Sequence, residues 1–255
     1  MRRPLVAANW KMHKSAEEAE SYLRRLLEVV PNRPPLDLVV CPSATALHVA
    51  KGVLAGSHVA WGAQSARPEP EGAFTGEVSL AQVKEHGVSY VICGHSERRA
   101  LFGEDDAVVA RKVKATLAAE LVPILCVGES LDQRQGGKAW AVVEGQLAAA
   151  LADVELGNPS MLLVAYEPVW AIGTGMAAQP EDAQDMAGRI REWLVGRFGP
   201  QGAGVRIQYG GSVKPDNARA FLGLADVDGA LVGGASLDPD SFWKIAQGAV
   251  AATQR

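Results

Sequence analysis

The sequence predicts an α/β fold, a (β/α)₈ barrel that forms a single domain over residues 1–255. Two observations carry this prediction: eight short apolar runs recur along the chain, and segments of helical periodicity lie between them. Runs that are apolar without a break are typical of strands covered by helices on both faces of a parallel sheet. Strict alternation of strand and helix, with no break resembling a linker, favours a closed barrel.

The apolar runs supply the strands in chain order. An open doubly wound sheet is the alternative, but that fold favours a glycine-rich phosphate turn after the first strand, where this chain continues with NWKM. The eight runs are LVAAN from Leu5, LDLVVC from Leu36, HVAWGA from His58, SYVIC from Ser89, LVPILCV from Leu121, MLLVAY from Met161, GVRIQY from Gly204 and VDGALV from Val227.

Capping signals mark several of the helices between these strands. Ser15 and Glu18 have the spacing of a capping box at the start of the first helix. A later helix is expected to begin at Pro180 and to stop at Gly199. Asp238, followed by a proline, is expected to cap the last helix.

Composition limits the classes of partner. Hydrophobic residues make up 48% of the chain and charged residues 21%, as in an ordinary globular protein with a large core. A net charge of −4 argues against nucleic acid and anionic membrane surfaces, which favour clustered Lys and Arg. No uninterrupted apolar stretch approaches the ~18 residues expected of a membrane-spanning helix.

The cysteines and the amino terminus bear on the compartment. Cys41, Cys93 and Cys126 are odd in number, far apart and close to the ends of apolar runs. This pattern suits reduced, buried thiols better than disulfides or a zinc site. The first residues show no targeting signal, because polar side chains interrupt the opening apolar run. We therefore expect a cytoplasmic protein.

One connection is unusually long for a compact domain. Residues 64–79, QSARPEPEGAFTGEVS, contain two prolines and two glycines and show no helical period. Loops of this length are usually lids, partner contacts or disordered segments.

Polar residues and glycine pairs follow several of the predicted strands. Taken singly, each has a structural explanation, but reactive groups of such barrels lie on loops after the carboxyl ends of strands. All of these positions would meet on one rim: Asn9 and Lys11, His95, Glu167, Gly210 to Ser212, and Gly233 with Gly234.

Glu167 begins a segment whose composition is typical of a mobile lid. Pro168 disfavours helical geometry in the residue before it, so the glutamate stays extended at the end of the sixth strand. Trp170 offers a large apolar anchor, while Gly173 and Gly175 permit unusual dihedral angles. An ordinary connecting loop is the alternative.

Three further features suggest how the site would stabilise charge on a bound ligand. His95 precedes a short predicted helix, whose terminal amides favour a neutral imidazole that can donate to a carbonyl. Lys11 supplies a cation that stabilises negative charge on oxygen. The turns YGGSVKPDN and VGGASLDPD precede helices, so that their amides could hold a phosphate.

Together these motifs resemble the triosephosphate isomerase family over nearly the whole chain. The similarity runs through AANWKM at 7–12, GAQ at 62–64, EGAFTGE at 71–77, CGHSERR at 93–99, PILCVGE at 123–129, AYEPVWAIGTG at 165–175, YGGSV at 209–213 and DGALVGGASL at 228–237. The resemblance implies interconversion of dihydroxyacetone phosphate and glyceraldehyde 3-phosphate, with no metal or redox cofactor.

The resemblance also implies residue roles. Glu167 would be the base, neutral His95 would polarise the carbonyl, and Lys11 would stabilise the enediolate, since a glutamate base paired with a neutral histidine is a known feature of this family. The other implied residues bind substrate or support these groups: Asn9, Gly173, Ser212, Gly233 and Gly234 for binding, and Ser96, Glu97 and Leu231 for support.

The long loop gains a role from the same resemblance. Because the family is dimeric, residues 71–77 would enter the partner's active-site region, with Thr75 near the partner's copy of Asn9 and Lys11.

Two other functions remain open. A Schiff-base aldolase would need a strand lysine, which none of the eight runs contains. A non-catalytic phosphosugar-binding or surface-adhesion protein could keep the same barrel.

Overall fold

Eight parallel strands close into one barrel in chain order, which confirms the predicted fold class. The computed structural model describes residues 2–172 and 178–253. The strands are β1 Leu5–Asn9, β2 Asp37–Cys41, β3 Val59–Ala63, β4 Tyr90–Cys93, β5 Val122–Val127, β6 Leu163–Tyr166, β7 Arg206–Tyr209 and β8 Gly229–Val232.

Helices connect successive strands and surround the barrel. In the described ranges they are α1 Ala16–Val29, α2 Leu47–Leu54, α3 Leu80–Glu85, α4 Ser96–Phe102, α5 Asp106–Ala118, α6 Leu131–Gln135, α7 Ala139–Leu151, α8 Pro180–Phe198, α9 Ala218–Leu222 and α10 Pro239–Thr253. Short 3₁₀ turns add Ala44–Ala46, Pro159–Met161, Val169–Ala171, Gly199–Gly204 and Gly234–Ser236. No helix in the described part of the chain is both long and apolar enough to cross a membrane.

The barrel closes where β8 meets β1. Leu5 pairs with Gly229 in parallel register at this seam. A Cβ atom on Gly229 would lie 1.8 Å from the carbonyl oxygen of Leu5, and the φ angle of Gly229 is 155°. Only glycine tolerates both conditions, so this residue permits the last strand to reach the first.

Alternate residues along each strand pack on opposite faces of the barrel wall. Leu5 and Ala7 belong to the cluster that fills the interior, whereas Val6 and Ala8 pack under the surrounding helices. Cys41 and Cys126 lie in the interior and are buried, and burial raises the pKa of the Cys41 thiol to about 12. The core therefore has two layers, one inside the barrel and one between the strands and the surrounding helices.

The predicted capping signals are confirmed. The backbone N–H of Glu18 donates to Ser15 Oγ, and the N–H of Ser15 donates to the Glu18 carboxylate at 2.7 Å. Helix α8 begins at Pro180 and ends just before Gly199. The N–H of Ser241 donates to Asp238 Oδ1 at 2.7 Å at the start of α10.

The long connection between β3 and α3 is closed at its base. Arg67 and Ser79 form an isolated parallel bridge, with the N–H of Arg67 donating to the Val78 carbonyl at 2.8 Å. The guanidinium of Arg67 also lies 3.9 Å from the centre of the Phe74 ring. Beyond this base, residues 71–77 are all exposed.

Candidate active site

A cavity of about 350 Å³ opens at the carboxyl ends of the strands. Residues of β1 and β8 and of the loops after β1, β4, β6, β7 and β8 line this cavity. Residues predicted from the sequence make up much of the lining: Asn9, Lys11, His95, Glu167, Ser212, Leu231, Gly233 and Gly234.

Glu167 follows β6 directly, and its carboxylate is buried, with 2% of the residue exposed. Two donors of Ser96 bind the carboxylate oxygens, its N–H at 3.0 Å and its Oγ at 3.2 Å. His95 Nε2 also lies 3.0 Å from Glu167 Oε1. Because these donors replace water around a buried charge, they determine where the carboxylate lies. Ser96 thus contacts the proposed base through two of its atoms.

The backbone at Glu167 is held by the neighbouring strand. Its N–H donates to the Val127 carbonyl at 2.8 Å. At Gly128, the residue after Val127, a Cβ atom would lie 1.7 Å from the carbonyl oxygen of Glu167. No side chain fits in that space, so glycine allows β5 and the start of the lid to approach this closely.

The hydrogen bonds of His95 define its tautomer. His95 is the N-cap residue of α4, and its Nδ1 accepts the backbone N–H of Glu97 at 3.2 Å. A ring nitrogen that accepts an N–H carries no proton, so the ring proton lies on Nε2. Nε2 is the atom that contacts Glu167, and His95 borders the cavity. A neutral imidazole in this tautomer can donate to an oxygen of a bound ligand.

Lys11 has a backbone conformation that few residues other than glycine adopt, with φ of 54°. Two side chains stabilise it: the N–H of Lys11 donates to Asn9 Oδ1 at 3.1 Å, and Gln64 Nε2 donates to the Lys11 carbonyl at 2.8 Å. Lys11 Nζ pairs with Glu97 Oε1 at 2.6 Å. The pair is partly exposed, so its net stabilisation is small and Lys11 remains available to a ligand.

Backbone amides approach the cavity from the ends of β7 and β8. Gly210, Gly211 and Ser212 follow β7, but the helix after them begins only at Ala218. After β8, Gly234 opens a 3₁₀ turn directly. The helix-terminus geometry expected for anion binding is therefore present at the second glycine pair, whereas the first pair contributes loop amides.

Glu129 anchors the first part of the predicted lid. Its buried Oε1 accepts Trp170 Nε1–H at 2.8 Å and Tyr166 O–H at 3.0 Å. The guanidinium of Arg134 lies 4.6 Å from the centre of the Trp170 ring. Trp170 is thus a buried anchor. Gly173 and Gly175, the predicted flexible positions, lie outside the described residues.

Sequence reasoning assigned no role to Gln64 or Glu129. Both lie within motifs that carry the family resemblance, GAQ at 62–64 and PILCVGE at 123–129. Their place in these motifs is the signal that could have identified them. Their contacts join residues 53 and 41 positions apart in the chain, and periodicity does not reveal such pairs.

Two further observations concern Thr75 and the side chains that could bind a metal ion. Thr75 lies on the exposed loop tip and does not line the cavity of its own chain. Within residues 2–172 and 178–253, no group of three or more His, Cys, Asp or Glu side chains is placed to hold a metal ion.

Comparison with known proteins identifies relatives along the entire barrel. The family model described as triosephosphate isomerase matches residues 4–249. A triosephosphate isomerase of Symbiobacterium thermophilum is 51% identical over 256 residues, covering 100% of both chains. One from Carboxydothermus hydrogenoformans is 51% identical over 98% of this chain and 100% of its own. One from Chloroflexus aurantiacus is 50% identical over 96% of this chain and 98% of its own.

Proposed function

The chain belongs to the triosephosphate isomerase family, and from this premise we propose that residues 1–255 form one catalytic domain whose rim cavity interconverts dihydroxyacetone phosphate and glyceraldehyde 3-phosphate in glycolysis. The single observation that supports the assignment of roles is the meeting of three groups in one cavity. Glu167, His95 and Lys11 all line it, and the Glu167 carboxylate lies 3.0 Å from His95 Nε2.

Glu167 acts as the base in this proposal. It removes a proton from the carbon beside the carbonyl group and returns one to the neighbouring carbon, which converts ketose to aldose. The carboxylate must first exchange its bonds with Ser96 for contact with substrate, because those bonds occupy both of its oxygens. Leu231 lies in the same lining and supplies an apolar wall that keeps water from the glutamate.

His95 acts as the electrophile and proton carrier. Its Nε2–H donates to the substrate carbonyl oxygen, and the ring then moves protons between the two oxygens of the enediolate. Glu97 supports this role, since its backbone N–H occupies Nδ1 and keeps the proton on Nε2.

Lys11 stabilises the negative charge that develops on the enediolate and attracts the substrate phosphate. Asn9 assists by holding the Lys11 backbone and by lining the cavity. The ammonium group is held at the rim by Glu97, whose carboxylate lies 2.6 Å away.

The substrate phosphate binds to backbone amides on the far side of the cavity. Ser212, Gly233 and Gly234 line this side, and the family resemblance adds Gly173 from the lid. Closing the lid over the bound phosphate excludes water and protects the enediolate from losing phosphate. In this mechanism Glu167 removes one proton and returns one, and two electrophiles, His95 and Lys11, stabilise the charge on oxygen. The reaction therefore needs no metal or redox cofactor.

We further propose a cytoplasmic homodimer. Residues 71–77 are exposed beyond a base that is closed by the Arg67–Ser79 bridge, so that the loop tip is free to contact another chain. Thr75 at this tip would approach the partner's copy of Asn9 and Lys11. Three buried, free cysteines are compatible with a reducing compartment.

Two rival activities make different predictions. An aldolase that forms a Schiff base would trap covalently on borohydride treatment with substrate, whereas this site has no lysine among its strand residues. A phosphosugar-binding protein without catalysis would bind substrate but leave it unchanged.

A coupled assay of purified protein with glyceraldehyde 3-phosphate tests the proposal. Wild type should turn over substrate, and Lys11→Met should lower kcat and raise KM together, because the cation serves both enediolate and phosphate. The loss in kcat/KM should reach at least about 10²-fold, the value of one strong electrostatic group. Lys114→Met, which removes an exposed charge on α5 outside the cavity lining, is the control. Unchanged kinetics in Lys11→Met would remove Lys11 from the mechanism.

A further inference from the structure

A second cavity, of about 440 Å³, lies at the opposite end of the barrel from the proposed active site. Five strands begin around it, since its lining includes Arg3 just before β1 and the first residues of four others. Those first residues are Asp37 of β2, Tyr90 of β4, Val122 of β5 and Arg206 of β7. We call this the base cavity. None of its lining residues has a role in the isomerase proposal.

Two guanidinium groups in the base cavity share one carboxylate. Arg3 Nε lies 2.6 Å from Asp37 Oδ1, and Arg206 Nη1 lies 2.7 Å from Asp37 Oδ2. The two positive charges therefore face a single negative charge, which leaves an excess of one. The side chain of Arg206 is only 10% exposed, so its position is set by packing.

Several donors in this cavity have no protein acceptor. Arg206 Nε and Nη2, Arg3 Nη1 and the Tyr90 hydroxyl form no hydrogen bond with any residue that the structure describes. The free donors of Arg206 and Tyr90 are not sealed buried atoms, the side chain of Arg3 is 52% exposed, and all three residues line the base cavity. A guanidinium that is nine-tenths buried normally has its donors satisfied, whereas Arg206 donates to residues 2–172 and 178–253 through one nitrogen only.

Two neighbouring arginines, Arg2 and Arg191, have protein acceptors for all of their side-chain nitrogens. Arg2 donates to Asp228 Oδ1 at 2.5 Å and to the carbonyls of Ala203 and Ala225, so each of its nitrogens is occupied. Arg191 contacts the other oxygen of Asp228 at 2.6 Å. Asp228 and its arginines therefore form a structural network, while the two arginines that share Asp37 keep donors free.

We propose that the base cavity is a second ligand site, which binds a phosphate dianion, either free or as a small phosphate ester. The open edge of Arg206 supplies two parallel donors that match two oxygens of a phosphate. Arg3 Nη1 and the Tyr90 hydroxyl supply donors for the remaining oxygens. A carboxylate has only two oxygens and would leave part of this set without an acceptor.

The apolar lining gives room for more than the phosphate itself. Val122, Pro159 and Met161 line the same cavity. At about 440 Å³ the cavity falls within the range of small-molecule sites, so it has space for the carbon chain of a phosphate ester. A ligand here would join β1, β4 and β7 and stabilise the folded chain by mass action.

Equilibrium dialysis with radiolabelled inorganic phosphate tests the proposal. Wild type should bind two phosphates per chain, one at each end of the barrel. The double variant Arg3→Gln/Tyr90→Phe should weaken one of the two by at least tenfold while leaving the Arg206–Asp37 pair intact. Arg24→Gln, which removes one exposed charge on α1, is the matched control and should keep both sites.

Inhibition of isomerisation by phosphate shows which of the two phosphate sites the double variant weakens. The inhibition constant of phosphate against isomerisation should stay within about twofold in the double variant, because Arg3 and Tyr90 lie away from the active-site cavity. Tyr90→Phe alone, which removes one oxygen, should weaken the same site by about fivefold, as expected for one hydrogen bond. This single variant keeps the test decisive if the double variant fails to fold.

Two results would overturn the proposal: one phosphate per chain in wild type, or unchanged binding of both phosphates in the variants. A second dialysis with unlabelled ribose 5-phosphate separates the sources. Displacement of phosphate from the base cavity assigns the site to a phosphate ester, and retention assigns it to the free ion.

Discussion

In the proposed mechanism, catalysis depends on placing the carboxylate of Glu167 within about an ångström. In the structure its resting position is set by the hydrogen bonds from Ser96, the contact with His95 and the missing side chain at Gly128. A misplacement of about 1 Å costs about 10²-fold in rate in a site of this kind. The length of the Glu167 side chain is therefore expected to matter for turnover.

Shortening this side chain tests the placement. We expect Glu167→Asp to lower kcat by about 10²-fold, because the carboxylate retracts by about 1 Å while the charge is kept. The coupled assay and far-ultraviolet circular dichroism measure activity and fold. Glu181→Asp, the same change on the exposed start of α8, should leave both intact. A drop in Glu167→Asp smaller than about threefold would reject Glu167 as the base.

Helix α4 places His95, and a buried ion cluster holds α4 against α5. Glu104, 7% exposed, binds Lys112 of α5 at 2.5 Å and also pairs with Arg98 of α4. Burial alone would raise the pKa of Glu104, but the hydrogen bonds from Lys112 and Arg98 outweigh it and the pKa is lowered. The ionised carboxylate therefore stabilises the fold above the unfolded pKa near 4.5, and this contribution is lost as pH falls through the folded value.

Removing this charge should destabilise the protein at neutral pH. Glu104→Gln leaves Lys112 buried without its counter-charge, which costs about 3 kcal/mol in the free energy of unfolding. Urea unfolding at one protein concentration, at pH 7 and again below pH 4.5, measures the difference, which should shrink in acid. Glu120→Gln, at an exposed pair with Lys84, should change little. Equal stability of Glu104→Gln and wild type at pH 7 would contradict this account.

At the scale of elements, sequence patterns predicted type and order well and boundaries less well. Several strands begin one or two residues after the start of the apolar run, for example β6 at Leu163 although the run starts at Met161. Met161 instead ends a 3₁₀ turn and lines the base cavity. Apolar character marks burial, while a strand begins where ladder hydrogen bonds begin, so the two boundaries need not coincide.

The site was predictable where its residues follow strands, and was missed where they depend on distant partners. Glu167 and His95 occupy strand ends, which the barrel topology brings to one rim. Gln64 reaches the Lys11 carbonyl across 53 residues, and the pairing of Arg206 with Asp37 spans 169. Such pairs follow from closure of the barrel and have no local signature.

Closure of the whole barrel divides the molecule into two chemically different ends. The carboxyl ends of the strands carry the cavity with Glu167, while the amino ends carry the arginine-lined base cavity. The long loop extends from the first end as an exposed tip at 71–77. In the proposed homodimer, a complete active site would then need two chains.

Blocking the proposed contact should separate the subunits. We expect Thr75→Arg to shift the protein from dimer to monomer and to lower kcat/KM at least about tenfold, because a buried, unpaired charge is costly at an interface. Size-exclusion chromatography with light scattering gives the mass. Glu155→Arg, at an exposed position away from the loop, should remain dimeric and active. A fully active monomer, or a dimer unaffected by Thr75→Arg, would refute this role of the loop.

The most direct test of proton transfer by Glu167 is isomerisation of dihydroxyacetone phosphate in deuterium oxide. A carboxylic acid formed at Glu167 exchanges its proton with solvent, so we predict deuterium on the carbon next to the aldehyde of the glyceraldehyde 3-phosphate produced, detected by nuclear magnetic resonance. Product formed at the normal rate without solvent deuterium would show that no proton exchanges at the base, and would contradict proton transfer through an exchangeable carboxylic acid at Glu167.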